Sequence, residues 1–218
     1  MTNAEAVSKT AEYIKQRFAN DSTGHDWWHM YRVWQLAKKI AAHENKADML
    51  VVELAALLHD IADYKFHSGN LEAGPKAARK WLESLKVDET TIAHVENIVR
   101  NISFKGAAEK QNLKTLEGQI VHDADKLEAI GAIGIARVFA YCGARNVPIF
   151  LPDKKPKPNM TFKEYKHDSV SSINHFHEKL LLLKDRMFTK TGKQMAAHRH
   201  KYLEDFLEEF HKEWGGKL

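Results

Sequence analysis

The chain has 218 residues, 33 Lys and Arg against 29 Asp and Glu, and a formal net charge of +4. That length allows one large domain or two small ones. A composition of 44% hydrophobic and 28% charged residues excludes a disordered chain, and the single cysteine, Cys142, excludes an internal disulfide and a thiolate metal cluster.

No apolar run approaches the roughly 18 residues of a membrane span. The N-terminus lacks the basic-then-apolar pattern of a signal peptide, so the expected address is the cytoplasm. The evenly mixed charges do not form the basic stripe of a dedicated nucleic-acid binder.

Residues 4–18 read as a helix, with Val7, Ala11, Ile14 and Phe18 at helical spacing. A turn follows at 20–24, and Asp26 is placed to cap a second helix over 27–42. A third helix spans about 47–62, and 63–75 reads as a loop. Pro75 suits the first turn of a helix to Leu85, and Asp88 caps another to Ile102. Residues 103–106 are a polar break carrying Lys105. Residues 113–125 form a shorter helix ending in charge. Residues 127–141, with Gly131 and Gly134, suit close helix packing. The segment 146–160 holds four of the five prolines and reads as a mobile loop. A helix over 161–183 follows, then a basic break at 190–193, then a last helix over 193–214. The expected fold class is all-α, a single-domain helical bundle with one Pro-rich excursion.

The chemistry centres on one stretch. The apolar run 49–58 ends abruptly in His59 and Asp60, with Asp63 one turn later. Burying a lone carboxylate costs several kcal/mol unless it is paired or binds a metal. Two readings stay open here. One is a divalent metal site; the other is a plain helix end, with His59 capping carbonyls and Asp60 in water. Similar placements recur at His29 in the second helix and at Asp125. Two imidazoles and two carboxylates make a mixed N/O set that suits Mn²⁺ first, then Fe²⁺, Ni²⁺, Zn²⁺ or Mg²⁺.

The segments His29-Met-Tyr-Arg-Val33, Leu57-Leu-His-Asp-Ile61 and Asp123-Ala-Asp-Lys-Leu127 follow one another in an H…HD…D order. On these the chain resembles the HD-domain superfamily of metal-dependent phosphohydrolases. The motifs Gly24-His-Asp-Trp-Trp-His29, Ile102-Ser-Phe-Lys-Gly106, Leu181-Leu-Leu-Lys-Asp-Arg-Met187 and Thr189-Lys-Thr-Gly192 extend the likeness over nearly the whole chain. They point to a small bacterial subfamily whose members resemble nucleoside triphosphate pyrophosphohydrolases.

The resemblance implies that His29, His59, Asp60 and Asp125 ligate one divalent ion. It places the metal-binding core at about 20–130, with C-terminal helices over 161–214 packing on it. Asp63 stands where many relatives carry a Glu that acts as general acid or base; it is one methylene shorter here, or it orients water. His67 is placed to protonate a leaving group, beside Lys65. Lys105, Lys184, Arg186 and Lys190 are candidates to hold phosphate oxygens. The expected substrate is a nucleotide, cleaved to monophosphate and pyrophosphate. Alternatives are a phosphomonoesterase acting on nucleoside 5′-monophosphates and a metal-dependent nucleotide sensor without turnover. Neither membrane nor nucleic acid is an expected partner, and the tryptophans admit a homodimer.

Overall fold

The computed structural model describes residues 1–19, 26–44, 46–62, 70–104, 108–109, 111–158, 160–161, 164 and 170–217. Asp63, Lys65, His67 and Lys105 lie outside them. The described residues are helical throughout, with nine α-helices, two short 3₁₀ turns and no strand. No single helix among them is long and apolar enough to cross a membrane. The chain divides into two compact units, 1–104 with 111–125 and 105–110 with 126–218.

The first unit holds α1 (Asn3–Arg17), α2 (Trp27–Ala41), α3 (Met49–Leu58), α4 (Ala73–Ser84) and α5 (Glu89–Ile102), together with most of α6 (Leu116–Glu128). Helix α3 packs against α1, α2 and α5. Its sequence, Met-Leu-Val-Val-Glu-Leu-Ala-Ala-Leu-Leu, is apolar on every side, which only a central helix tolerates. Leu54, Leu57 and Leu58 are wholly buried, each contributing roughly 1.5–3 kcal/mol by removal from water. The one acid of α3, Glu53, accepts a hydrogen bond from the Trp34 indole of α2 at 2.8 Å. Trp81 of α4 stacks on Tyr13 of α1 at 3.9 Å and donates to Thr10 Oγ1 at 2.9 Å, a structural role.

The second unit holds α7 (Gly131–Ala144), α8 (Ser172–Glu178), the 3₁₀ turns Leu180–Leu182 and Lys184–Arg186, and α9 (Lys190–Trp214). Several expected boundaries shift. Helix α6 starts at Leu116 and continues to Glu128, so Asp125 sits inside its last turn instead of ending it. The break before α7 falls at Gly131, whose φ of +79° is open to glycine at little cost. The continuous helix expected over 161–183 is replaced in its described part by α8 and the 3₁₀ turns, because Ser171 caps α8 from an extended conformation and Lys179 leaves helical space. The basic run 190–193 is not a break but the first turn of α9, started by Thr189, whose hydroxyl accepts from the Gly192 N–H at 2.9 Å.

The Pro-rich segment expected to be a mobile loop is fastened to α8. The Ser172 and Ile173 N–H groups donate to the Pro148 and Ile149 carbonyls at 2.9 and 3.0 Å. Asn174 Nδ2 donates to the Lys154 carbonyl at 3.2 Å, and the Lys157 N–H donates to Glu178 Oε1 at 3.0 Å.

Candidate metal centre

His29 is the third residue of α2 and wholly buried. Asp26 caps that helix as expected, Oδ1 accepting from the His29 N–H at 2.8 Å. His59 stands at the C-terminal end of α3, and Asp60 follows it into the turn. Asp125 approaches from α6.

The His59 ring is oriented by the main chain. Its Nδ1 lies 2.8 Å from the Ala56 carbonyl oxygen, one of the carbonyls a helix end leaves without an intrahelical partner. A carbonyl can only accept, so Nδ1 carries the proton and donates. In the neutral ring Nε2 then presents a lone pair.

That lone pair faces the His29 ring and two carboxylates. His59 Nε2 lies 3.3 Å from His29 Nε2, 3.5 Å from Asp60 Oδ2 and 3.7 Å from Asp125 Oδ1. His29 Nε2 lies 3.6 Å from Asp60 Oδ2 and 3.9 Å from Asp125 Oδ1. The two carboxylate side chains are only 15% and 20% exposed. Protons or a cation must therefore sit among these atoms for their mutual repulsion to be relieved.

The spacing suits a cation. Ligands about 2.1 Å from one ion lie about 3.4 Å apart in a tetrahedron, and about 3.0 or 4.2 Å apart in an octahedron. His29, His59 and Asp125 offer ligand atoms all within 4.8 Å of one another and could hold a metal ion. Asp60 adds a fourth donor close to both imidazoles.

The two sequence readings of this stretch thus merge for His59, which caps a carbonyl with one ring nitrogen and offers the other to the cluster. For Asp60 the solvated reading fails, since its carboxylate is mostly buried. Asp123, an alternative to Asp125 by proximity, is wholly buried and paired with His122 Nδ1 at 3.1 Å.

Lys184, Arg186 and Lys190 belong to the second unit. Lys184 and Arg186 share one 3₁₀ turn, and Lys190 is exposed at the start of α9. Arg186 Nη1 donates to the Glu109 carbonyl at 3.3 Å, and burial draws its guanidinium below its ordinary pKa. His200 is buried, with Nε2 3.3 Å from Glu204 Oε1. Trp28 is 58% exposed and Trp27 and Tyr31 lie in ring contact with it. At about 100° per residue, Trp27 and Tyr31 project from the side of α2 opposite His29, which argues against base stacking above the cluster. Sequence reading offered His59 as a cap for carbonyls but did not say that the one it meets is that of Ala56. Every residue has one, so only the i to i+3 step back from His59 could have signalled it.

Residues 27–130 match the family model described as HD domain. The chain is 33% identical to YpgQ of Bacillus subtilis over 218 residues, covering 99% of this chain and 97% of that protein. The structure of B. subtilis YpgQ in complex with ADP matches at 28% identity with a TM-score of 0.71, over 95% and 97% of the two chains. A solved structure from Lactobacillus plantarum superposes with a TM-score of 0.86 at 34% identity, covering 99% of each chain. An HD-superfamily hydrolase from Bacillus thuringiensis is 41% identical with a TM-score of 0.74, over 98% and 99% of the two chains. Likeness along essentially its full length to such proteins, with two histidines and two aspartates converging from α2, α3 and α6, means that this chain belongs to the HD-domain superfamily.

Proposed function

We propose that the protein is a metal-dependent phosphohydrolase that cleaves nucleoside triphosphates to monophosphate and pyrophosphate. The observation that carries this is the His59 ring, held by Ala56 so that Nε2 meets His29, Asp60 and Asp125 at 3.3–3.7 Å. The ADP bound by B. subtilis YpgQ supports a nucleotide as the ligand class.

In this reading the four side chains hold one divalent ion, Mn²⁺ being the favoured choice. An ion of that kind lowers the pKa of water and polarises a phosphoryl oxygen. Asp60 and Asp125 balance its charge, and the buried imidazoles keep bulk water from its inner side. His29, His59, Asp60 and Asp125 would hold the ion, and substrate would approach it from the side they leave uncovered. Asp63, three residues beyond Asp60, is assigned the proton of the attacking water. His67 is assigned the proton given to the leaving group, with Lys65 beside it. Lys105, Lys184, Arg186 and Lys190 are proposed as cations for the phosphate oxygens. These seven assignments rest on the sequence.

The test is product analysis on metal-stripped protein, reconstituted separately with Mn²⁺, Fe²⁺, Ni²⁺, Zn²⁺ or Mg²⁺ and offered nucleoside mono- and triphosphates. Pyrophosphate from triphosphates, dependent on metal and lost in Asp60→Ala, is the expected result. Phosphate from monophosphates would replace the proposal with a phosphomonoesterase. Absence of turnover with every metal and every nucleotide, together with a nucleotide-induced rise in melting temperature, would leave a sensor.

A further inference from the structure

We infer that Asp26 is a positioning residue for the metal centre, acting through the main chain of His29. The inference rests on the proposal that His29, His59, Asp60 and Asp125 hold the ion. Seven described helices begin with a side-chain cap: Thr2, Asp26, Asp48, Asp88, Thr115, Ser171 and Thr189. At six of them the capped N–H belongs to a residue outside the cluster: Glu5, Leu50 with Val51, Thr91, Gly118, Asn174 and Gly192. At α2 the capped N–H is that of the candidate ligand itself, 2.8 Å from Asp26 Oδ1.

His29 lies in the first turn of α2, where N–H groups lack i−4 partners and the backbone frays unless capped; its N–H also donates to the Asp26 carbonyl at 3.1 Å, so the Asp26 side chain adds the shorter of two bonds. Its main-chain position sets where Nε2 sits, 3.3 Å from His59 Nε2. A ligand displaced by about 1 Å loses much of its bond to an ion. The Asp26 side chain therefore holds the ligand in register without touching the ion.

The test measures Mn²⁺ dissociation constants by titration calorimetry on the metal-stripped full chain, with the melting temperature of each metal-free variant alongside. Asp26→Ala is expected to weaken Mn²⁺ binding about 10-fold, the scale seen for loss of an outer partner of a ligand. Asp26→Asn keeps an oxygen that accepts the same bond and should stay within about 3-fold of wild type. Asp88→Ala removes the same kind of bond from α5 and should leave Mn²⁺ affinity unchanged while costing similar stability. Equal affinity in Asp26→Ala and Asp88→Ala would reduce Asp26 to an ordinary cap and overturn the inference, as would an Asp26→Asn variant as weak as Asp26→Ala. His29→Ala separates the two levels: if it binds Mn²⁺ as tightly as wild type, or if wild type binds none, the metal-centre reading itself falls.

Discussion

His59 uses its two ring nitrogens for different purposes, one to close a helix end and one to face the acid pair. Replacing it should therefore act on two observables. His59→Ala is expected to abolish metal uptake and also to destabilise the metal-free protein by about 1 kcal/mol, because the buried Ala56 carbonyl loses its donor. Asp125→Ala should abolish uptake without that second loss. Calorimetric metal titration and urea melts of the two variants, compared side by side, check the contrast. Two glycines carry a different kind of constraint. A Cβ on Gly134 would collide with the carbonyl of Ala129, a backbone atom that cannot rotate away. Gly134→Ala is expected to cost about 2–3 kcal/mol, read from its urea midpoint. At Gly131 the positive φ and the Arg199 side chain 3.1 Å from a notional Cβ combine. Composition suggested close helix packing for both glycines, but it could not say that Gly131 would begin α7 after the two-residue turn that follows α6.

Three helices end with one backbone motif filled by three different residues. After α4, Lys86 takes a φ of +55°, its N–H donating to the Glu83 carbonyl while the Val87 N–H reaches Leu82. After α7, Asn146 at +57° repeats the pattern through Gly143 and Cys142; after α9, Gly216 at +61° does so through Glu213 and Lys212. Glycine fills this left-handed position without strain, asparagine tolerates it, and lysine does not favour it. Lys86→Gly should therefore stabilise the protein by about 0.5–1 kcal/mol, visible as a raised melting temperature, whereas Asn146→Gly should gain less. The expected ends at Leu85, Tyr141 and Trp214 lie within three residues of the observed Ser84, Ala144 and Trp214, although two of the three lack the glycine that most often marks such an end. Capping residues were easier to read: Asp26 and Asp88 stand where the pattern put them. The pair α4 and α5 is also joined by charge, Arg79 meeting Glu89 and Glu96 at 2.8 and 2.6 Å, and Arg100 meeting Glu96 at 2.9 Å. Burial alone would raise the Glu96 carboxyl, but hydrogen bonds from Arg79 and Arg100 outweigh it and leave it below its ordinary value. Its contribution is then fully present above the ordinary carboxylate range and is lost as pH falls through its lowered value. Glu96→Gln should cost roughly 1 kcal/mol at neutral pH, and the gap from wild type should close under acid conditions in urea melts taken across pH.

Helical class, most elements and the cluster of His29, His59, Asp60 and Asp125 were legible in the one-dimensional pattern. Apolar periodicity reports burial, and an acid beside an imidazole at the end of a wholly apolar helix is costly without a partner. What stayed hidden depends on dihedral angles and on main-chain partners, which no side-chain pattern encodes: the Gly131 break, the short α8 and the fastening of the Pro-rich segment by Asn174 and Glu178. An ion that binds only the folded chain adds stability by mass action, about 2.7 kcal/mol at a free concentration 100 times its dissociation constant. Mn²⁺ should therefore raise the melting temperature and a chelator reverse it, with Asp60→Ala unresponsive. On the proposed reading, these four side chains also impose an order of events. His29, the His59–Asp60 pair and Asp125 are separated by long stretches of chain, and each rides on a different helix. No two neighbouring segments can build the cluster alone, so ion capture must wait until α2, α3 and α6 have met. During refolding, metal uptake should lag behind the recovery of helical signal, making the ion a clock for the last long-range closure of the chain and not a seed for the first.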